Sequence, residues 1–205
     1  MDVIDKNILA ALYVSSINGN DPIEIIKKKS NLSDDFIKNK IATLVSNGLI
    51  EQDRKTLTDV GRTSLQVIFA GGVFDIIHPG HIHTLNSAKK LGDVLVVVVA
   101  TDKTAQKMKK RTPLHQQEER KNLVGSLTMV DLCLVGDEDD IFKTVNRVKP
   151  EIIALGYDQI HQEKFITDGC KRINLNTKVA RLQSPVPEIS SSKIEKEYGE
   201  NIHDI

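Results

Sequence analysis

Val94-Leu95-Val96-Val97-Val98-Val99 is an unbroken apolar run in which every residue but one is β-branched. Such a run suits a strand, and because no polar residue alternates with the apolar ones, both faces must be covered by protein. That places it inside a parallel sheet with helices on both sides. The chain from Val67 onward agrees. Short apolar stretches at Val67–Ala70, Leu132–Val135, Ile152–Leu155 and Val179–Leu182 alternate with helix-period stretches at about Gly80–Leu91, Gln116–Thr128, Asp140–Val148 and Gln162–Arg172. The fold class over residues 66–205 is therefore α/β, a Rossmann-like doubly wound parallel sheet.

Residues 1–65 follow a different rule. Ile4, Ile8, Leu9 and Leu12, then Ile37, Ile41, Leu44 and Val45, recur at helical spacing. Three helices are expected. The second runs over Pro22–Lys29, and the third is capped by Ser33, carries Asp34 and Asp35 in its first turn and ends at Gly48. Leu49–Leu57, polar in its middle, suits a small hairpin, and Thr58–Leu65 closes the segment. Three helices and a hairpin describe a small winged helix-turn-helix domain.

Charge narrows the class of function. The 28 Lys and Arg balance 28 Asp and Glu, so the chain has no general electrostatic grip on nucleic acid or an anionic membrane. Residues 1–66 are also balanced, and Asp34 and Asp35 open the helix that would enter a DNA groove. DNA is thus a possible partner of this domain but not the favoured one; packing or dimerisation fits better. No apolar run approaches the ~20 residues of a membrane helix, and the acidic start is unlike a basic leader. A cytoplasmic protein is expected, with Cys133 in a core strand and Cys170 on a polar helix, open to oxidation.

The chemistry concentrates in Ala70-Gly71-Gly72-Val73-Phe74-Asp75-Ile76-Ile77-His78-Pro79-Gly80-His81, where the first strand gives way to the first helix. In an open parallel sheet, ligands bind at such a junction, and glycines let backbone approach a phosphate that helix amides face. His78 and His81, three residues apart at the helix start, can both donate to oxygens that gain charge in a transition state. A zinc site is the poorer reading, since only Asp75 and His83 lie near.

Gly72-Val73-Phe74-Asp75 with His78-Pro79-Gly80-His81, followed far downstream by Ile189-Ser190-Ser191-Ser192-Lys193-Ile194, resembles the cytidylyltransferase-like nucleotidyltransferases. The resemblance covers Val67 to about Glu197. It implies His78, His81 and Lys109 as catalytic residues. It implies nucleotide binding by Gly72, Val73, Phe74, Asp75, His78, His81, Arg111, Gly156, Asp158, Ser190, Ser191 and Ser192, and matches Arg120 to an arginine on the helix after the basic loop. It further implies a divalent metal, magnesium by expectation, and a homodimer; Asp75 is expected either to hold that ion, directly or through water, or to orient the loop as a turn residue. Val73 stands where the family has threonine, so a hydroxyl is lost there and the backbone amide remains.

Ala100-Thr101-Asp102-Lys103-Thr104, Ser126-Leu127-Thr128-Met129-Val130-Asp131 and Gly156-Tyr157-Asp158-Gln159 look most like the archaeal-type FAD synthases. That implies transfer of AMP from ATP to FMN, giving FAD and pyrophosphate. The alternatives are a glycerol-3-phosphate cytidylyltransferase using CTP, whose relatives commonly carry an aromatic where this chain has Gln159, and a flavin- or nucleotide-sensing DNA-binding regulator.

Overall fold

The structure is a computed structural model that describes residues 1–183 and residue 194. It divides into two compact units. One comprises Met1–Val67 with Gly92–Val94, and the other the remainder of the chain.

The first unit is built on α1 (Val3–Asn18), α2 (Pro22–Lys29), α3 (Asp34–Ser46) and α4 (Asp59–Thr63). Each start is specified locally. Asp2 and Asp5 form a reciprocal capping box on α1, Asp21 caps α2 ahead of Pro22, and Ser33 accepts from the Phe36 amide on α3. Ile8, Leu9, Leu12, Ile37 and Leu44, spaced at helical period, are all buried. The segment read as a hairpin is reduced to a single antiparallel bridge, Ile50 to Leu57, because Asp53 draws the Lys55 and Thr56 amides into a tight turn. Three lysines of this unit are held by acids: Lys6 meets Asp93 at 2.7 Å, Lys27 meets Asp34 at 3.0 Å, and Lys40 meets Asp2 at 2.8 Å and Asp5 at 2.9 Å.

The second unit carries the sheet. Strands β1 (Val67–Gly72), β2 (Val94–Val99), β3 (Leu132–Val135), β4 (Ile152–Leu155) and β5 (Lys178–Arg181) lie in the order β3-β2-β1-β4-β5. The β1–β4, β2–β3 and β4–β5 pairs are parallel, with Ala70 opposite Ala154 and Val99 opposite Val135. All six residues of β2 are buried, as their unbroken apolar run requires. The chain leaves β1 toward β2 and β3, then returns to the other side of β1 for β4 and β5. The order therefore reverses beside β1, which is where open sheets of this kind bind ligands.

Helices α5 (Pro79–Lys89), α7 (Gln117–Gly125), α8 (Ile141–Val148) and α9 (Glu163–Arg172) fall within a few residues of their expected positions. Two helices were not foreseen: α4, where only a closing stretch was expected, and α6 (Asp102–Lys109), which occupies what reads as a basic loop. The sequence of α6 is polar and buries only Ala105, so no apolar stripe betrays it; the Thr101 cap on the Thr104 amide does. The reading of Cys170 also needs correction. It is buried at 2% exposure, where desolvation pushes its thiol up; in β3, burial raises the Cys133 thiol to about 12. Neither cysteine is poised for oxidation.

Candidate active site at the strand-order reversal

The site begins with a backbone reversal. Strand β1 ends in Gly71-Gly72, and two residues on Phe74 adopts φ 53°, a left-handed conformation unusual for an aromatic residue. The Phe74 ring folds over Gly72 so closely that a β-carbon there would come within 2.8 Å of it, so any larger residue at position 72 would have to push the ring aside. The turn is held by a buried cation. Arg120 is wholly buried on α7 and donates to the Val73 carbonyl at 2.7 Å, the His115 carbonyl at 2.9 Å and the Asp102 carboxylate at 2.7 Å. One guanidinium thereby fastens the glycine turn, the segment before α7 and the start of α6.

His78 is the residue before the first turn of α5, and its imidazole makes no capping bond to that helix. His81 lies one turn on. The two rings lie against each other with centroids 3.9 Å apart and planes tilted by 36°, and Phe74 packs against His81 at 5.1 Å. Burial, with lesser contributions from His78 and then Lys109, lowers the His81 pKa to about 4. His81 is therefore neutral at pH 7. Its Nδ1 is buried and has no hydrogen-bonding partner among the described residues.

A cavity of about 170 Å³ opens here, lined by Gly72, His78, His81, Lys109, Gly156 and Tyr157 among others. A neighbouring slot of about 130 Å³ has mainly apolar walls, including Phe69, Val98, Ile141, Ile153, Leu155 and Ile166. Gly71, Gly72, Met108 and Gln159 line both. Two imidazoles, a lysine and the amino end of a helix beside an apolar slot form a place for an anion that carries a flat or greasy group.

Of the residues expected in the site, Gly72, Val73, Phe74, His78, His81, Lys109 and Gly156 come together around the first cavity. Lys109 does so from the last turn of α6 rather than from a loop. Asp158 lies in the short 3-10 helix Tyr157–Gln162 that follows β4. Ser190, Ser191 and Ser192 lie outside the described residues.

Asp75 and Arg111 are placed differently. Asp75 is buried, its Oδ1 accepts from the Leu114 amide at 2.8 Å and the His115 amide at 3.2 Å, and its Oδ2 meets Arg111 Nη1 at 2.8 Å. Both oxygens already serve to hold the 111–115 segment, so Asp75 does not fit the role of metal ligand. Its backbone carbonyl is also within 3.1 Å of the His115 ring. Among the described residues, no three His, Cys, Asp or Glu side chains converge as a metal cage. Arg111 does not line the cavity and is paired with Asp75 instead.

Sequence reasoning missed Met108, Thr84 and the shared position of Gln159. Met108 offers no signal, since an exposed methionine in a polar helix resembles any surface residue. Gln159 was marked in the sequence as part of the Gly156-Tyr157-Asp158-Gln159 motif, but its place on the wall of both cavities depends on contacts that only the fold brings together.

The profile of the cytidylyltransferase-like family matches residues 69–197. The chain is 51% identical over 125 residues to the FAD synthase of Picrophilus torridus, covering 61% of this chain and 89% of that protein. It is 46% identical over 127 residues to the FAD synthase of Thermoplasma acidophilum, covering 62% and 89%. The crystal structure of a lipopolysaccharide core biosynthesis protein from Thermoplasma volcanium superposes with a TM-score of 0.56 at 42% identity, covering 58% of this chain and 98% of that one. Among the described residues, no helix is long and apolar enough to cross a membrane.

Proposed function

We propose that this chain, which belongs to the cytidylyltransferase-like family, transfers AMP from ATP to FMN, giving FAD and pyrophosphate, as the names of its FAD synthase relatives suggest. The observation that carries the reading is the closely packed His78–His81 pair at the start of α5, which lines one cavity together with Lys109. Joining two anions needs aligned donors and positive charge more than it needs a base.

A phosphate oxygen of FMN attacks the α-phosphorus of ATP. As that bond forms, the bond from the α-phosphorus to the bridging oxygen of the β-phosphate breaks, and pyrophosphate leaves with the electron pair. His78 and His81 donate to the oxygens on which charge builds, while Lys109 holds the departing pyrophosphate. Ser190, Ser191 and Ser192 are assigned to the triphosphate with it. The low pKa of His81 keeps it uncharged in the free enzyme, and an anion in the cavity raises its proton affinity at the moment a donor is needed.

A divalent ion, magnesium by expectation, supplies charge neutralisation on the phosphates. With Asp75 committed to Arg111 and two amides, the ion would be carried by the substrate's own oxygens. Residues 1–65 are read as a winged-helix domain in a scaffold or dimerisation role. The pairing of Lys27 and Lys40 with acids supports that role over DNA reading.

The test is pyrophosphate release with magnesium, crossing ATP and CTP against FMN and glycerol 3-phosphate. Release with ATP and FMN alone is expected. Release only with CTP and glycerol 3-phosphate would replace this reading, and flavin-dependent binding of genomic fragments without turnover would favour a regulator.

A further inference from the structure

Gln159 occupies an unusual place. Its Oε1 accepts from the Gly156 amide at 2.9 Å, and its Nε2 donates to the Gly71 carbonyl at 3.2 Å. It thus clips the carboxyl end of β4 to that of β1 across the strand-order reversal. It also borders both the histidine-lined cavity and the apolar slot. A glutamine held at both ends of its amide by backbone cannot swing, and its polar head is spent on the chain rather than on a ligand.

We propose that Gln159 is the specificity-determining residue for the acceptor. Turned back onto Gly71 and Gly156, it leaves the slot joined to the phosphate cavity, so that an acceptor can place its phosphate by His78 and His81 and a flat apolar ring between Phe69, Val98, Ile141 and Ile166. The walls favour a ring over a polyol: Thr101, Thr104, Asp137 and Gln162 also border the slot, but its exposed lining is mostly aliphatic and aromatic, so a row of hydroxyls would lose more hydrogen bonds to water on entry than it regains. Met108, exposed at 53% and shared by both cavities, adds a flexible thioether that packs well on a ring face. This inference rests on the flavin reading of the site.

The experiment uses the full chain and two variants. Gln159→Trp fills the junction between the cavities, and Ile141→Trp fills the slot from α8 while leaving both Gln159 hydrogen bonds in place. FMN binding is followed by quenching of flavin fluorescence, and the KM for ATP by pyrophosphate release; thermal unfolding confirms that each variant is folded. In both variants FMN binding should weaken by roughly tenfold or more, while the KM for ATP moves by less than about threefold. Wild-type FMN affinity in either folded variant would overturn the proposal, as would an equal loss for ATP and FMN in Gln159→Trp. If the unsubstituted protein turns over a ringless acceptor and does not bind FMN, the functional reading itself has failed, an outcome visible before either variant is made.

Discussion

Arg120 reaches back 47 positions to donate to the Val73 carbonyl at 2.7 Å, and it does so with none of its surface exposed to solvent. A wholly buried guanidinium is costly unless its donors are satisfied, and here three chain segments satisfy them. Replacing Arg120 by Met should therefore destabilise the protein by about 2–4 kcal/mol, because the Val73 and His115 carbonyls lose their donor together. Chemical denaturation measures this, and an unchanged midpoint would contradict the anchoring role. Because the turn carries Gly72 and Phe74, residual activity should fall beyond what the loss of folded protein explains.

His81→Ala should lower turnover by roughly 100-fold, the scale of losing one preorganised donor to a developing charge, with a smaller effect on the KM for ATP. Steady-state kinetics separates the two. A rise in KM with turnover intact would make His81 a residue of ground-state binding.

Acid should act through the same side chain. The folded-state pKa of His81, about 4, lies below its ordinary 6.5, so the unfolded chain takes up the proton first. The stability associated with neutral His81 is fully present above pH 6.5 and is lost as pH falls from there through 4. Thermal unfolding at pH 7 and pH 5 should show a larger drop for the wild type than for His81→Asn. Equal drops would mean that His81 titrates normally in the fold.

Asp75→Asn keeps the shape of the carboxylate but removes the charge that faces Arg111 at 2.8 Å. Released from its partner, the 111–115 segment should loosen, and the KM for ATP should rise several-fold. The metal concentration needed for half-maximal activity should not move. A rise in that requirement by roughly tenfold or more would reinstate Asp75 as a metal ligand.

Helix packing offers a test independent of the site. A β-carbon on Gly169 would lie 1.8 Å from the Phe142 ring, so α9 can approach α8 only because position 169 has no side chain. Gly169→Ala should cost about 1–3 kcal/mol. Combining it with Phe142→Leu should recover part of that loss, a coupling that a double-mutant cycle reads directly.

How much of this was legible in the sequence depends on whether the signal is local. The run Val94–Val99 alone required a strand covered on both faces, and the cap at Ser33 marked a helix start, because periodicity and capping act between residues a few positions apart. The glycine turn followed by His78 and His81 marked the chemical centre for the same reason. Helix α6 escaped, since its polar face towards solvent leaves only Ala105 to bury and gives no period to read. Contacts distant in sequence were settled by the fold. The pairing of Asp75 with Arg111 and the Leu114 and His115 amides favours the loop-orienting role over the metal-ligand role, both of which the sequence left open. The burial of Cys170 and the depressed His81 pKa depend on neighbours brought in from other elements, and the bridge from Gln159 to Gly71 spans 88 positions. Burial and charge environment are properties of what surrounds a side chain in space, and that was decided only when β1 and β4 came to lie side by side.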